Sequence, residues 1–385
     1  MFAYGIFKVI YAPHKAFKEI SQNPKYVGPI LIMILFAAAN VGSMYTLVSK
    51  TLVEETLPTS KQLDEWTENA TLWTTSGLAP TENYTDYIQG SMYGNRSIEF
   101  SAINSNEISM QLDNIGPVNC SGSSGYKDLY LRIKWISPDG SPENVAIHMY
   151  SSPSDYFYYN LTENLSNSTV NVWNNLTIPL ANQNWTEIGT AADWGNITGL
   201  GLNFTWPEGS NITVLVDGLF FGGVFKPPVE NIVSYAVNFS LYTFMQFVVR
   251  WVLLGGIIYI MTKAFKANTV WKVILILVGF ALITMFVQAV INAATFSTLS
   301  TIRYPFELIG GVKGESENAY NKILEETWLV NQIYGYVQIV VLIWTVVLCA
   351  LAVRLTTEFS WTKSFLIAAV AYFATTFVEG FLVGA

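Results

Sequence analysis

The sequence predicts an α-helical integral membrane bundle of five transmembrane helices, with an all-β extracellular sandwich of the jelly-roll type inserted after the first helix. Three observations predict this. Apolar residues make up 51% of the 385 and charged residues only 12%, a low charge for a soluble globular protein. Five apolar runs are each long enough to cross roughly 30 Å of hydrocarbon. Between the first two lie residues 51–228, which hold nineteen Asp and Glu against six Lys and Arg, whereas the remainder holds nine against fourteen. The acid thus belongs to the inserted block and the basic excess to the membrane part.

Residues 1–26 carry Lys8, Lys15, Lys18 and Lys25 among Phe2, Ile6, Phe7, Ile10 and Phe17. This reads as a cytoplasmic amphipathic segment of one or two interfacial helices, broken near Pro13. Residues 27–50 hold the first span, with an uncharged core at 27–48. It starts too late and runs too long for a secretory apolar region, so an uncleaved anchor is expected. Residues 51–80 are read as a stalk, helical over 51–71 because of Glu54, Glu55, Asp64, Glu65 and Glu68. Residues 81–228 form the sandwich, and 229–385 hold the other four spans at 232–261, 270–296, 329–353 and 364–383.

Basic residues orient the bundle, because Lys- and Arg-rich short loops stay cytoplasmic. The N-terminal segment, the turn with Lys263, Lys266 and Lys272 and the turn with Arg354 and Lys363 fall on one side when the spans alternate. The block, the acidic loop 297–328 and the C-terminus then lie outside. Asn-x-Ser/Thr acceptors agree: Asn69, Asn83, Asn95, Asn119, Asn160, Asn164, Asn167, Asn175, Asn184, Asn196, Asn203 and Asn211 all lie in the block, with Asn238 near the second span. Such sites require an exterior surface to be modified.

Within the block, alternation with a period of two marks strands with one buried face. Leu129, Leu131, Ile133 and Trp135 share a face, as do Leu200, Leu202, Phe204 and Trp206. Further strands are expected at 97–102, 107–112, 144–150, 155–161, 172–178 and 211–221, divided by Gly, Pro, Asn and Ser turns. Many short strands without an intervening helical pattern make a β-sandwich. Tyr156, Phe157, Tyr158 and Tyr159, with Trp173, Trp185 and Trp194, are candidate sugar-stacking platforms, against the alternative that they are core or half-buried strand residues.

The runs VWNNLTIPLANQNW, WGNITGLGLNFTW and NITVLVDGLFFGG resemble the C-terminal half of the galactose-binding-like jelly rolls found in many carbohydrate-binding modules, over roughly residues 96–223. The resemblance implies surface glycans or glycoproteins as partners. It also implies a structural calcium ion held by an acid of the last strand, the position of Asp217; a simply hydrogen-bonded acid is the other reading. No other cofactor is expected. The membrane part resembles the Yip family of five-span proteins, named for interaction with Rab-type GTPases. That likeness rests on the segment YAPHKAFKEISQNP, the five spans and the N-inside, C-outside arrangement, and it implies a trafficking or scaffold role with a small GTPase on the cytoplasmic side. Typical members have only a short connection where this chain has its block.

Polar residues inside the spans form a further candidate group. At ~1.5 Å per residue, Gln246, Gln288 and Glu379 stand at one height with Arg250 about one turn lower. Arg250 and Glu379 are a candidate ion pair, which either marks a transport or channel path or glues helices together. Other functions find no motif to support them. One histidine, His14, lies inside and the other, His148, outside, so neither side assembles a histidine metal cluster or a Cys–His dyad. No phosphate-binding glycine loop or metalloprotease motif is present, and no motif marks a glycosidase carboxylate pair. No basic cluster with interleaved aromatics occurs in the block, which excludes nucleic acid. The expectation is a non-enzymatic protein of the lipid bilayer.

Overall fold

The computed structural model describes residues 2–166, 168–228 and 232–384. They fall into two compact units: Met1–Thr51, Pro227–Ile302 and Leu324–Ala385 form one, and Leu52–Lys226 with Arg303–Ile323 the other. The chain opens with α1 (Phe2–Tyr11), α2 (Pro13–Gln22) and α3 (Val27–Ser49). It continues through β1 (Thr51–Leu57), β2 (Trp73–Thr75), β3 (Thr81–Asn83), β4 (Ser97–Val118), β5 (Asp128–Ser137), β6 (Asn144–Tyr150), β7 (Tyr156–Asn160), the one-turn α4 (Thr162–Leu165), β8 (Asn174–Pro179), β9 (Thr186–Ile188) and β10 (Ile197–Lys226). After α5 (Ile232–Ala264), α6 (Trp271–Ala281) and α7 (Ile283–Ser297) come the short β11 (Ile302–Tyr304), α8 (Phe306–Gly310) and α9 (Glu315–Glu326), then α10 (Trp328–Thr357) and α11 (Trp361–Glu379).

Among the described residues of the helical unit, five segments are long and apolar enough to cross a membrane: Val27–Ser49, Ala236–Ala264, Trp271–Ser297, Trp328–Thr357 and Trp361–Leu382. The third joins α6 and α7 across a break at Leu282. Small residues let the helices close up. A Cβ at Gly279 would lie 2.6 Å from both Pro29 Cβ and Trp251 Nε1, so α3, α5 and α6 meet there only because that side chain is absent. Pro13 opens α2 in its first turn, where its missing N–H costs no hydrogen bond. The apolar faces of α1 and α2 bury Ile6, Val9, Ala16 and Phe17 in the same core as Ile32, Leu254 and Ile276, while Lys8 pairs with Glu19 on the outside.

The other unit is an antiparallel sandwich built on two long strands that serve both sheets. Residues 107–113 of β4 pair with 199–205 of β10, and with β2, β6, β7 and β9 they make the first sheet. The register shifts between Thr205 and Ile212, a bulge that bends the strand. Beyond it, residues 98–102 pair with 212–216, and β3, β5, β8 and β1 complete the second sheet. Phe100, Trp135 and Val216 from one sheet meet Met110, Phe204 and Ile147 from the other in a single fully enclosed core.

Two expectations need correction. The strands expected at 97–102 and 107–112 are one strand, β4, and the two expected on either side of Pro207 are both part of β10. Residues 51–71 are not a helical stalk either. β1 pairs antiparallel with the end of β10, Val53 opposite Lys226 and Leu57 opposite Phe221. Its acids suggested helix, but Thr51, Val53 and Thr56 are β-branched and β10 offers them a strand edge. Residues 303–323 also join the sandwich. Phe306, with Ile309 and Val312, packs with Ile88, Met92, Tyr93, Tyr130 and Phe220 over the outer side of the second sheet. That side is covered, and the outer side of the first sheet is left open.

Candidate functional site

The open face is set by alternation. In β6, Val145, Ile147 and Met149 enter the core, so Ala146, His148 and Tyr150 turn outward. In β7, Phe157 turns inward and Tyr156 and Tyr158 outward. The register places His148 opposite Tyr158 and Tyr150 opposite Tyr156. Ring centroids lie 5.2 Å apart for His148 and Tyr156, 5.6 Å for His148 and Tyr158, and 5.3 Å for Tyr150 and Tyr156, giving a patch of four rings. Gly201 on β10 makes room for it: a Cβ there would stand 3.0 Å from Cε2 of Tyr150. Asn203 lies further along that face, and β4 adds Gln111, whose Nε2 donates to Asp113 Oδ1 at 2.8 Å. The three tyrosines are half-buried and His148 is nearly enclosed by them. Burial holds the His148 ring below the usual histidine range, so it is neutral at physiological pH.

Most of the aromatics expected as sugar platforms serve the core instead. Phe157 stacks on Trp194 with centroids 4.1 Å apart, Trp185 meets Trp194 edge-on at 5.1 Å, and Tyr159 packs on Trp185 at 5.1 Å. Trp173 donates Nε1 to Asp86 Oδ1 at 2.9 Å. Only Tyr156 and Tyr158 reach the open face. His148 and Tyr150 were missed, although the alternation of NVAIHMY carried the signal.

Of the acceptor asparagines, Asn69, Asn95, Asn119, Asn160, Asn164, Asn175, Asn184, Asn196 and Asn211 are exposed and Asn83 and Asn203 partly so. Asn167 lies outside the described residues.

Asp217 is fully buried. Its Oδ2 accepts the Ile88 N–H and its Oδ1 the Gly218 N–H, both at 2.7 Å. Its carboxyl faces that of Asp64, likewise buried, within hydrogen-bonding reach. Asp64 Oδ1 has no hydrogen-bond partner, and among the described residues neither acid forms an ion pair with Lys or Arg. Burial raises both acids above the usual carboxylate range. Two facing carboxylates without a positive neighbour require either a shared proton or a cation. An unpartnered buried oxygen, a second carboxylate and the nearby Thr67 hydroxyl fit a hard, oxygen-ligated ion such as calcium. Among the described residues no group of three or more His, Cys, Asp or Glu is arranged to hold a metal, so any further ligands would be backbone carbonyls or water.

In the helical unit the expected pair forms: Arg250 Nε donates to Glu379 Oε2 at 2.7 Å. Gln246 and Gln288 are close by, and the group borders a cavity of about 470 Å³. Every membrane span contributes to it: Phe36 and Asn40 from α3, Phe239, Gln246 and Arg250 from α5, Met285, Gln288, Ala289 and Asn292 from α7, Tyr334, Gln338, Val341 and Leu342 from α10, and Tyr372, Phe373 and Thr376 from α11. Asn40, Asn292 and Gln338 were not expected. Asn292 stands four residues after Gln288, on the same helical face, and that spacing was the available signal.

Comparison with known proteins accords with the helical part. The Yip1 domain family model matches residues 198–381, from within β10 to the end of α11, as the resemblance of the bundle implied. The chain is a multi-pass membrane protein. No curated protein matches it. Among solved structures, a β-1,2-glucanase from Parabacteroides distasonis is 16% identical over 40% of this chain and 24% of its own, with a TM-score of 0.27. A family 11 carbohydrate-binding module from Clostridium thermocellum, in complex with a mixed-linked tetrasaccharide, is 13% identical over 44% of this chain and 94% of its own, with a TM-score of 0.28. A structure concerned with carbohydrate-binding modules of the β-sandwich superfamily is 16% identical over 40% and 57%, with a TM-score of 0.25. The chain therefore spans about a quarter of the glucanase.

Proposed function

We propose that this is a non-enzymatic membrane protein whose sandwich faces the cell exterior, carries N-linked glycans and binds surface glycans or glycoproteins on the open face of its first sheet. The observation that carries the reading is the patch of His148, Tyr150, Tyr156 and Tyr158 beside Gln111, Asp113 and Asn203. Planar rings take the C–H faces of a sugar while neighbouring polar side chains take its hydroxyls. The basic turns between spans and the exposure of most acceptor asparagines support the outward orientation. Asp64 and Asp217 would hold a calcium ion, which supplies charge compensation that fixes the loop before β2 to the last strand and takes no part in binding.

The test is a glycan array probed with the full chain in detergent, because β1 and residues 303–323 complete the second sheet. Tyr156→Ala is expected to weaken the retained glycan by roughly tenfold, about the worth of one stacking contact, with thermal stability unchanged. Binding that survives both Tyr156→Ala and Tyr158→Ala would remove the open face from the reading.

A further inference from the structure

We infer that the cavity among the membrane helices is a binding site for an uncharged, hydroxyl-bearing group of sugar size. Its volume of about 470 Å³ falls within the range of small-molecule sites. Five carboxamides border it, each offering a donor and an acceptor, an expensive lining for a membrane interior unless those groups find partners. One of them shows the need directly. Asn292 is 8% exposed, and its buried Oδ1 has no hydrogen-bond partner. No hydrogen bond joins the side chains of Gln288 or Gln338 to another described residue.

The charge of the lining selects among ligands. Arg250 is the cation at the wall, and Glu379 cancels it through Nε alone, so the site has hydrogen-bond donors without net charge. An anionic group would find the guanidinium already neutralised, whereas hydroxyls match both the carboxamides and the remaining N–H groups. The aromatic side chains of Tyr334 and Phe373 also line the cavity and suit the C–H side of such a group. The lining residues lie in the second half of the span Trp271–Ser297 and of α11, in the middle of α3, in the first half to middle of α5 and in the first half of α10. The cavity therefore occupies the half of the bundle away from the Lys263–Lys272 and Arg354–Lys363 turns. A lipid with a sugar headgroup and a free sugar share this chemistry.

The experiment uses the full chain in phosphatidylcholine nanodiscs with tritiated monoglucosyl diacylglycerol as the probe. Saturable retention is expected, with affinity falling roughly tenfold in Asn292→Leu, the loss of about one buried hydrogen bond. Thr376→Val, on α11, gives the same reading should the first variant fold poorly. Tyr156→Ala on the sandwich should leave retention unchanged, which separates this site from the proposed glycan face. Competition by methyl glucoside would support a free sugar as the natural ligand, and retention that resists it would support the lipid. No saturable retention, retention of tritiated phosphatidylglycerol in preference to the glucosyl lipid, or retention insensitive to both cavity variants would overturn the assignment.

Discussion

Each unit contains an arginine–glutamate pair in which one partner is buried, and the two are built differently. Arg132 gives Nη1 and Nη2 to the two carboxylate oxygens of Glu315 at 2.9 and 2.6 Å and Nε to the Tyr93 hydroxyl at 3.1 Å. Both edges of its fork are closed, the strongest form of the contact. Arg250 gives Glu379 one Nε contact and turns the rest of its guanidinium to the cavity. The closed pair fastens residues 303–323 to β5, while the open pair leaves donors for something else. Identical residue types thus serve attachment in one place and border a polar cavity in the other.

The largest effect should come from breaking the closed pair. Glu315→Gln leaves Arg132 buried without its counter-charge and should cost about 2–4 kcal/mol, read by denaturant unfolding of the full chain in micelles. The double replacement Arg132→Met with Glu315→Leu should recover most of that loss. A negligible effect of the single change would mean that the closed fork is not what holds the segment.

The Asp64–Asp217 pair extends the comparison, since here no side-chain cation answers the acids. Both are raised in the folded state, so folding favours their protonated forms. Without metal, the stability this provides is complete below pH ~4, the usual carboxylate range. It is lost as pH rises through the raised folded-state range of the pair. In chelator the full chain should therefore lose stability steadily as pH rises above ~4, and millimolar calcium should flatten the profile. A profile unaltered by calcium would leave the proton as the sole occupant.

A smaller effect is expected at the open pair. Glu379→Gln should cost about 1 kcal/mol, because water in a polar cavity can serve the freed guanidinium. A loss as large as that of Glu315→Gln would show that the cavity does not solvate Arg250.

What the sequence made legible follows the same division between local and distant causes. The spans were readable because a membrane helix satisfies its own backbone, and the expected 27–48 and 270–296 nearly coincide with Val27–Ser49 and Trp271–Ser297. Strand faces at Leu129–Trp135 and Leu200–Trp206 were readable from alternation, and Arg250 and Glu379 from the cost of charge in a membrane. β1 was not, because its strand character comes from pairing with Phe221–Lys226, far along the chain. Asp64 looked like one acid of a helical stalk; only the fold brings it to Asp217. Trp185 and Trp194 could be read as sugar platforms or as core, because residue type does not say which side of a sheet a corner turns toward.

The smallest effect should come from a pair that is among the shortest by distance. Lys226 Nζ lies 2.5 Å from Glu55 Oε2, closer than the 2.6 Å between Arg132 and Glu315, yet these side chains are 56% and 40% exposed against 7% and 30%. Water screens the exposed pair and already solvates both partners, so Glu55→Gln should change stability by less than ~0.5 kcal/mol. Were distance the governing variable, the two glutamate replacements would cost alike in the same unfolding experiment. A clear loss for Glu315→Gln with almost none for Glu55→Gln would assign the difference to burial and fork geometry, the features that separate the closed pair from the open one.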